Sequence, residues 1–564
     1  MPGRFSPALE QLLKLRFEFD PSSRRRKLRL LARVRTEAMP DADGVARLHE
    51  QLCFMRAYPD DRRVLRQVEM LLDGFSERGD LDRHRRELVN SGIAGTEIRF
   101  PFFWFTLQWL AERWPDLLRI DWGSLRGKYR DRFLERFSML LPFVETLALE
   151  EAAATTREWV ELLKGPEETD AAFIVKRYAA MRATSMARER IFEEQELPFR
   201  LLPGPDTPCA TRGRFEASRI VTQKRPLVRG RESFWKEFKR KPPDARSMPR
   251  RDARKLIDMA RTLMVARTRD LDAFANADEN DVRVLDYPQG FQLVYYGTIP
   301  ERRQVIDAAY GMLMLRNGVT IGYVLSAALF GSAEVAYNVS PAFRGAEAAH
   351  LYARCLNAVR GLFEVDTFMI DPYQMGHQNP EGLRSGAWWF YYKLGFRPRD
   401  PKIARMAEAE QEKVRNERGY RTSIARLNRL SSVNMYLHLG EPRDDVIGEF
   451  ARDNVGLKIV RYLAERFGGD RERGIETCAR EVARLLGLGS LKSLSPGERL
   501  AWERWSPLIL LLEGVETWSE RDRSAAVSAI RSKGGRRESD FVRRFDNHRR
   551  LRAAVLELAA TAVE

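Results

Sequence analysis

Cysteine is scarce in this chain, and the wide spacing of the cysteines excludes several kinds of site. The four cysteines, Cys53, Cys209, Cys355 and Cys478, lie more than a hundred residues apart. There is no CxxC pair, and no histidine stands at metal-ligand spacing. The sequence therefore predicts no zinc site and no metal cofactor, and we expect the thiols to be reduced.

Long apolar runs are also missing. The most apolar stretch, FPFFWFTLQWLAERW from Phe100, is interrupted by Thr106, Gln108 and Glu112, so it falls short of the roughly 20 apolar residues that a membrane span requires. The first residues, MPGRFSPALEQLLKLRF, carry charges through the part that a secretory signal keeps apolar. We therefore expect a bacterial-type cytoplasmic protein with no membrane span.

The chain is long and apolar enough to form several folded domains. It has 564 residues, of which 44% are hydrophobic, and single cores rarely grow beyond about 250–300 residues. Spacing of apolar residues predicts helices at both ends, while the middle is rich in strand-like runs. We predict a mainly helical N-terminal domain, a basic proline-marked linker, an α+β domain and a helical C-terminal domain, at residues 1–222, 223–254, 255–400 and 401–564.

Positive charge exceeds negative charge, with a formal net charge of +16. Two stretches stand out. Between Lys224 and Lys255, thirteen Lys or Arg residues face four acidic ones, and the sequence RSKGGRR begins at Arg531. Such surpluses suit an anionic ligand or nucleic acid. Phe234 and Trp235, which lie among arginines, offer rings for base stacking. Basic linkers are also common for solubility alone.

The central region changes from helical spacing to closely spaced strands. Runs such as GFQLVYYGTI, YGMLMLR, TIGYVLSAALF and AEVAYNVS predict an antiparallel meander, and Asn317-Gly318 between two of them favours a tight hairpin turn. A helix, the strand VDTFMIDPY and the helix GLRSGAWWFYYKLGF follow. Gly395 and the proline beyond it predict the end of that last helix. The region is predicted to form a mixed, mostly antiparallel sheet with helices on both faces, flanked by all-helical regions.

A candidate anion site follows the predicted strand that ends near Val339. The segment VSPAFRGAEAAHLYARCLNAV, Val339 to Val359, passes from a strand through a proline and an arginine into a helix that begins with small residues. Main-chain N–H groups at such a helix start are unpaired and attract phosphate. Small residues allow a diphosphate to approach them closely.

Residues 255–400 resemble the GNAT family of acyl-CoA N-acyltransferases. The family's loop motif, [R/Q]-x-x-G-x-[G/A], is matched by Arg344 in its first position and Ala349 in its last, and Tyr391-Tyr392-Lys393-Leu394-Gly395-Phe396 matches the later YxKLGF-like motif. The resemblance implies an acyl-CoA co-substrate, with acetyl-CoA as the expected form, and an amine acceptor. It implies coenzyme-binding residues at Val339, Arg344, Gly345, Ala346, Glu347, Ala348, Ala349 and Arg384.

The sequence departs from the family pattern at two of these positions. Glu347 stands where the family has the central glycine, and Arg384 stands where an asparagine is common. A carboxylate beside a diphosphate is repulsive unless its side chain turns outward. In a variant binding pose, Arg344, Arg384 and His377 contact the phosphates.

The resemblance also implies two catalytic residues. Glu334, ten residues before Arg344, corresponds to the general base that deprotonates the amine. Tyr391 corresponds to the proton donor for the leaving thiolate, and a main-chain N–H near Val339 would stabilise the oxyanion. Simpler interpretations exist: Glu334 as a polar residue on an exposed strand face, and Tyr391 as a core aromatic residue.

Three functions therefore remain open. The first is an N-acyltransferase, and the second is a GNAT-like binding or scaffold protein that has lost catalysis, marked by Glu347. The third is association with nucleic acid through the basic stretches. The affinity of such binding falls steeply as salt is added.

Overall fold

A computed structural model describes residues 6–561, apart from 126–132, 134–135, 146–154, 216–218, 229 and 346. The described chain separates into two compact units. Unit 1 contains Met1–Pro226, Arg254–Asn276 and Arg316–Thr320, and unit 2 contains Leu227–Ala253, Ala277–Leu315 and Ile321–Glu564. Within the described residues, no helix combines the length and the apolar character needed to cross a membrane.

Unit 1 is built mainly from helices. They are α1 Pro7–Lys14, α2 Pro21–Thr36, α3 Ala42–Ala57, α4 Arg62–Asp73, α5 Gly79–Arg83, α6 Trp104–Arg113, α7 Thr156–Leu163, α8 Asp170–Ala179 and α9 Ser185–Glu193. Several begin at a polar residue whose side chain accepts from the first turn, as Asp20 does for α2 and Thr169 for α8. Such caps satisfy main-chain N–H groups that otherwise lack partners.

Unit 1 also contains a three-stranded antiparallel sheet, so the prediction of an all-helical N-terminal region was wrong. Its strands are β1 Ile98–Phe100, β2 Leu118–Ile120 and β3 Phe199–Leu201, in the order β1-β3-β2. Each has only three residues, too few for alternation to be recognised in the sequence. In β3, Phe199 and Leu201 are buried on either side of Arg200. They join a core that includes Trp104 and Trp159.

Unit 2 carries a nine-stranded mixed sheet, which makes the protein α+β. The strands are β4 Arg246–Ser247, β5 Ala277–Tyr287, β6 Phe291–Thr298, β7 Ala308–Arg316, β8 Val319–Leu329, β9 Ser332–Val339, β10 Thr367–Ile370, β11 Arg397–Pro398 and β12 Met435–His438. Their order is β11-β12-β10-β9-β8-β7-β6-β5-β4. Residues 316 and 319–320, at the β7–β8 turn, count in unit 1.

The strands from β6 to β10 lie where the sequence predicted them. The Asn317-Gly318 turn is also confirmed, because both residues have positive φ, 51° and 78°, as a two-residue hairpin prefers. The Asn317 side chain is buried and donates to the carbonyl oxygens of Ala57 and Val221, at 2.9 and 3.0 Å. This turn is therefore fixed by side-chain contacts as well as by its backbone preference.

The C-terminal region is mostly helical but supplies one strand of the sheet. β12 lies between β10 and β11 and is antiparallel to both, so the prediction of an all-helical C-terminal region was wrong. Three of its four residues are buried. The helices of this region are α17 Pro401–Asn416, α18 Ile424–Leu430, α19 Arg452–Phe467, α20 Arg471–Leu486, α21 Pro496–Leu511, α22 Glu520–Lys533, α23 Glu538–Asn547 and α24 Arg549–Ala560.

The residues predicted as a basic linker, 223–254, contain regular structure. Helix α10, Arg231–Phe238, and strand β4 both lie in this segment. It is followed by α11, Arg250–Ala266, and α12, Asp272–Ala275. In α10, Phe234 and Phe238 are fully buried, and their spacing of four residues places them on one face of the helix.

Candidate functional site

The candidate site lies around strands β9 and β10. Among the strand pairs whose register the structure gives, this pair is the parallel one. Their register covers Ser332 to Glu334, opposite Thr367 to Met369. On its other edge β9 remains paired with β8 as far as Val339. β9 therefore continues beyond its register with β10, which ends at Ile370, one residue after its last partner. We call the space beyond Glu334 the β9–β10 gap.

The connections after these two strands contain the other predicted residues. Helix α13, Ala348–Phe363, follows β9, and three short helices follow β10. These are α14 Pro372–Met375, α15 Pro380–Ser385 and α16 Ala387–Leu394. Because β9 and β10 are parallel, the loops at their carboxyl ends emerge on the same side of the sheet. The strand pairing thus brings the Arg344 loop and the Tyr391 helix to one edge.

The loop between β9 and α13 is open at Gly345. Arg344 and Gly345 are exposed, and a Cβ added at Gly345 would meet no atom within 4 Å. Gly345 has φ +76°, a conformation that L side chains rarely adopt. Ala346 lies outside the described residues. Ala348 and Ala349, half-buried, open the first turn of α13.

The Glu347 side chain turns into the protein. Glu347 is 2% exposed, and its Oε1 accepts a hydrogen bond from the Val228 main-chain N–H at 3.3 Å. It occupies the N-cap position of α13 without a side-chain bond to the helix among the described contacts. Its negative charge therefore lies near the start of α13, while its oxygen contacts another segment.

Arg344 is held by exposed polar contacts. Its Nε donates to the Val339 carbonyl oxygen at 3.3 Å, and its Nη2 pairs with Glu381 Oε1 at 2.5 Å. Arg384, also exposed, lies one turn after Glu381 in α15, and residues at this spacing share a helix face. Arg344 and Arg384 are thus brought to the same region. His377 lies half-buried between α14 and α15.

Glu334 is half-buried and surrounded by other charged groups. Burial raises its pKa above the usual value, the nearby carboxylates of Asp371 and Asp307 raise it further, and Arg452 opposes them. Arg452 is itself paired with Asp307 at 2.8 Å. A carboxylate with a raised pKa is a stronger base at neutral pH than an ordinary glutamate. This charged environment was not predicted from the sequence.

Tyr391 is buried in an aromatic cluster. It is 3% exposed, and its ring packs edge-on against Tyr352 and Phe396, with centroids 5.6 and 5.9 Å away. Burial raises the pKa of its phenol. The phenol therefore stays protonated at neutral pH, the state that a proton donor requires, although it becomes a weaker acid.

Tyr337 connects this cluster to β9 and was missed in the sequence interpretation. Its ring lies 4.9 Å from that of Tyr352, and its hydroxyl donates to the Ala348 carbonyl oxygen at 3.2 Å. The only signal in the sequence is its place in AEVAYNVS, three residues after Glu334. Side chains alternate along a strand, so Tyr337 faces the side opposite to Glu334.

The two predicted catalytic residues therefore approach β9 from opposite faces. The register of β9 with β8 is regular from Ser332 to Val339, so the alternation is uninterrupted. Tyr391 packs on Tyr352, which packs on Tyr337, and all three rings lie on the face away from Glu334. Both residues can reach one reacting group only if that group lies in the β9–β10 gap.

The basic stretch from Lys224 to Lys255 is partly used inside unit 2. Glu237 pairs with Arg354 at 2.8 Å, where both side chains are buried, and with Arg240 at 3.0 Å. Phe234, predicted as a possible stacking surface, is fully buried and contacts Tyr352 with centroids 6.3 Å apart. Its ring is not accessible to a base in this structure.

Two cavities in unit 1 have volumes of about 550 and 590 Å³. They share Asp116 and the segment Pro166–Thr169. Neither cavity is lined by a residue of the site predicted from the sequence.

Comparisons with protein-family models, curated proteins and solved structures found no match for the chain.

Proposed function

We propose that unit 2 carries a GNAT-like N-acyltransferase, which moves an acyl group from acyl-CoA, with acetyl-CoA as the expected donor, to an amine. The observation that supports this most is the extension of β9 to Val339 beyond its parallel register with β10, which ends at Ile370. The Arg344 loop follows one strand and the Tyr391 helix follows the other. This order agrees with the two sequence motifs that resemble the family.

The coenzyme diphosphate would bind at the start of α13. The main-chain N–H groups of Ala348 and Ala349 belong to the first turn of that helix, where anions are favoured. Arg344 is available because its ion pair with Glu381 is half-exposed on both sides. Such surface pairs contribute about 0–1 kcal/mol, so exchanging Glu381 for a phosphate costs little.

The acyl thioester would lie in the β9–β10 gap. There Glu334 accepts a proton from the attacking amine on one face of the sheet. The amine nitrogen bonds to the thioester carbon, the carbon–sulfur bond breaks, and Tyr391 donates a proton to the sulfur from the other face. Solvent then returns the proton from Glu334 to Tyr391. A main-chain N–H near Val339 would stabilise the oxyanion.

Thermal unfolding of the full chain with a panel of acyl-CoAs tests the proposal. A ligand that binds only the folded state raises the melting temperature. We expect acetyl-CoA or a longer acyl-CoA to raise it more than adenosine 3′,5′-diphosphate, which lacks the pantetheine arm. Release of free thiol in the presence of an amine panel then reports turnover. No shift with any acyl-CoA at millimolar concentration would contradict the proposal.

A second candidate is a GNAT-like domain that binds acyl-CoA without turning it over. The position of Glu347 at the start of α13 and the burial of Tyr391 favour this alternative. It predicts a ligand-induced rise in melting temperature with no thiol release for any amine. The two candidates are thus separated by the second measurement.

A further inference from the structure

A polar cavity of about 430 Å³ lies in unit 2, formed by α22, the turn that follows it and α23. We call it the arginine cavity. Its volume is within the range of about 300–1,000 Å³ typical of small-molecule sites. Its lining includes four arginines and three serines: Arg531, Arg536, Arg537, Arg544, Ser524, Ser528 and Ser532.

Helical spacing and a tight turn build this lining. Ser524, Ser528 and Arg531 are spaced by four and three residues in α22, so they share one face. The chain then reverses at Gly534-Gly535 and enters α23. Gly534 approaches the backbone of Gly497 so closely that a Cβ would lie 2.0 Å from the Gly497 carbonyl oxygen. Only glycine fits this turn, which places Arg536 and Arg537 beside α22.

Three of the four arginines have neutral partners. Arg536 donates to the Asn280 carbonyl oxygen at 3.0 Å, Arg537 to Ser247 Oγ at 2.6 Å and Arg544 to Ser528 Oγ at 2.6 Å. In the part of the chain that the structure describes, no carboxylate lies within 4 Å of these three guanidinium groups. Each guanidinium has five N–H donors, more than these contacts use.

The acidic residues that also line the cavity are already neutralised. Glu498 pairs with Arg531 at 2.9 Å, and Asp540 pairs with Arg543 at 2.5 Å. The cavity thus keeps the positive charge of Arg536, Arg537 and Arg544. Several cations that line one cavity favour an anionic ligand.

Three basic residues near the cavity are paired with carboxylates. Lys533 is buried and pairs with Glu538, Arg550 pairs with Asp522 at 3.5 Å, and Arg552 pairs with Asp445. These three cations therefore add no unpaired positive charge to that of the cavity. Nucleic-acid backbones are bound along extended basic grooves, whereas a single cavity suits a small ligand.

We infer that the arginine cavity binds the phosphate groups of a small phosphorylated molecule. Guanidinium groups bind phosphate oxygens through paired, charge-assisted hydrogen bonds, and the serine hydroxyls of α22 can donate to further oxygens. This inference does not depend on the acyltransferase proposal, since none of the cavity's residues belongs to the β9–β10 gap or the Arg344 loop.

Titration calorimetry of the full chain with inorganic pyrophosphate, at constant ionic strength, tests the inference. We expect saturable binding that Arg536→Gln and Arg544→Gln each weaken about tenfold or more, because each removes a charge-assisted hydrogen bond. Both side chains are exposed, so we expect these variants to fold, which their melting temperatures will check. The absence of saturable binding would overturn the inference.

Two control variants locate the binding. Arg549→Gln changes an exposed arginine outside the cavity, and Arg344→Gln changes the loop proposed for acyl-CoA. Neither is expected to alter the part of the pyrophosphate binding that Arg536→Gln and Arg544→Gln weaken. Weakening by Arg344→Gln alone would assign the pyrophosphate to the coenzyme site and overturn the inference.

Discussion

The Glu347 carboxylate accepts a hydrogen bond from the Val228 main-chain N–H while it occupies the N-cap position of α13. A negative charge at this end of a helix interacts favourably with the helix dipole. The same field would attract the diphosphate of the proposed coenzyme. Glu347 and the ligand therefore compete electrostatically for one region, although the carboxylate oxygen contacts a different segment.

We expect Glu347→Gln to increase the affinity for acetyl-CoA about threefold to tenfold. The amide keeps an oxygen that can accept from Val228, and it removes the like charge beside the diphosphate. Titration calorimetry measures the change. Glu364→Gln, at the other end of the same helix, is the matched control and should leave the affinity unchanged. Equal or weaker binding by the Glu347 variant would show that its charge does not face the ligand.

We expect Tyr391→Phe to lower kcat about a hundredfold while the affinity for the coenzyme changes little. The substitution keeps the ring in its contacts with Tyr352 and Phe396 and removes only the hydroxyl that we propose as the proton donor. Tyr392→Phe is the control, since Tyr392 is a neighbouring buried tyrosine that stacks on Trp388 with centroids 4.8 Å apart. Thiol release measures both variants, and equal turnover in the Tyr391 variant would remove it from the mechanism.

Substitution of the charged residues near Glu334 should shift the low-pH part of the plot of kcat/KM against pH. A general base must be deprotonated, so kcat/KM rises with pH through the pKa of Glu334. Asp371→Asn removes a carboxylate that raises this pKa, so the limb should move to lower pH. Arg452→Gln removes a cation that lowers it, so the limb should move to higher pH.

If Asp371→Asn and Arg452→Gln do not move the rise of kcat/KM in opposite directions along the pH axis, Glu334 is not the general base. Asparagine at position 371 retains the oxygen that accepts from the Tyr373 N–H, so the start of α14 should be preserved. Glu334→Gln should abolish the limb itself. Melting temperatures of all three variants show whether the fold is intact.

In unit 1, Asp270 predicts a stability that depends on pH. Its carboxylate accepts from the Phe103 N–H at 2.8 Å and from Thr106 Oγ1 at 2.7 Å, at the start of α6. Burial raises its pKa to about 7. The folded state therefore keeps this proton at pH values where the unfolded chain has lost it. Stability from this group is highest below pH about 4 and falls as the pH rises toward 7.

Thermal unfolding between pH 4 and 8 tests this relationship, with an expected slope of at most about 1.4 kcal/mol per pH unit from this group. Asp270→Asn removes the titration and keeps one oxygen as an acceptor, so its stability should depend less on pH over this range. Asp116→Asn, which changes an exposed carboxylate elsewhere in unit 1, is the control. An unchanged slope in the Asp270 variant would contradict the raised pKa.

Much of the sheet could be predicted because its signals are local. The strands from β5 to β9 are apolar runs separated by turns, Asn317-Gly318 specifies a hairpin, and Gly395, at φ +118°, ends α16 as its position in the sequence predicted. These features depend on neighbouring residues only. β12 has four residues, too few for a pattern, and it is a strand because β10 and β11 lie on either side of it.

Of the candidate site, likewise, only the part formed by neighbouring residues could be predicted from the sequence. Arg344 to Ala349 form a contiguous motif, so the sequence indicates their loop directly. The environment of Glu334 depends on Asp307, Asp371 and Arg452, which come from three other segments of the chain. No local pattern reports such neighbours. Helix α10 was predicted as a linker because its charge is conspicuous, whereas Phe234 and Phe238 reveal their role only once α13 is packed against them.

The position of β12 has a consequence for dissecting the protein. A fragment that stops at residue 400 contains both motifs of the acyltransferase proposal but lacks the strand that pairs with β10 from Thr367 to Ile370. The outer edge of β10, which includes Phe368 and Met369, would then be open to other chains, and such bare edges promote aggregation. During synthesis, the sheet likewise remains incomplete until residue 438 has left the ribosome.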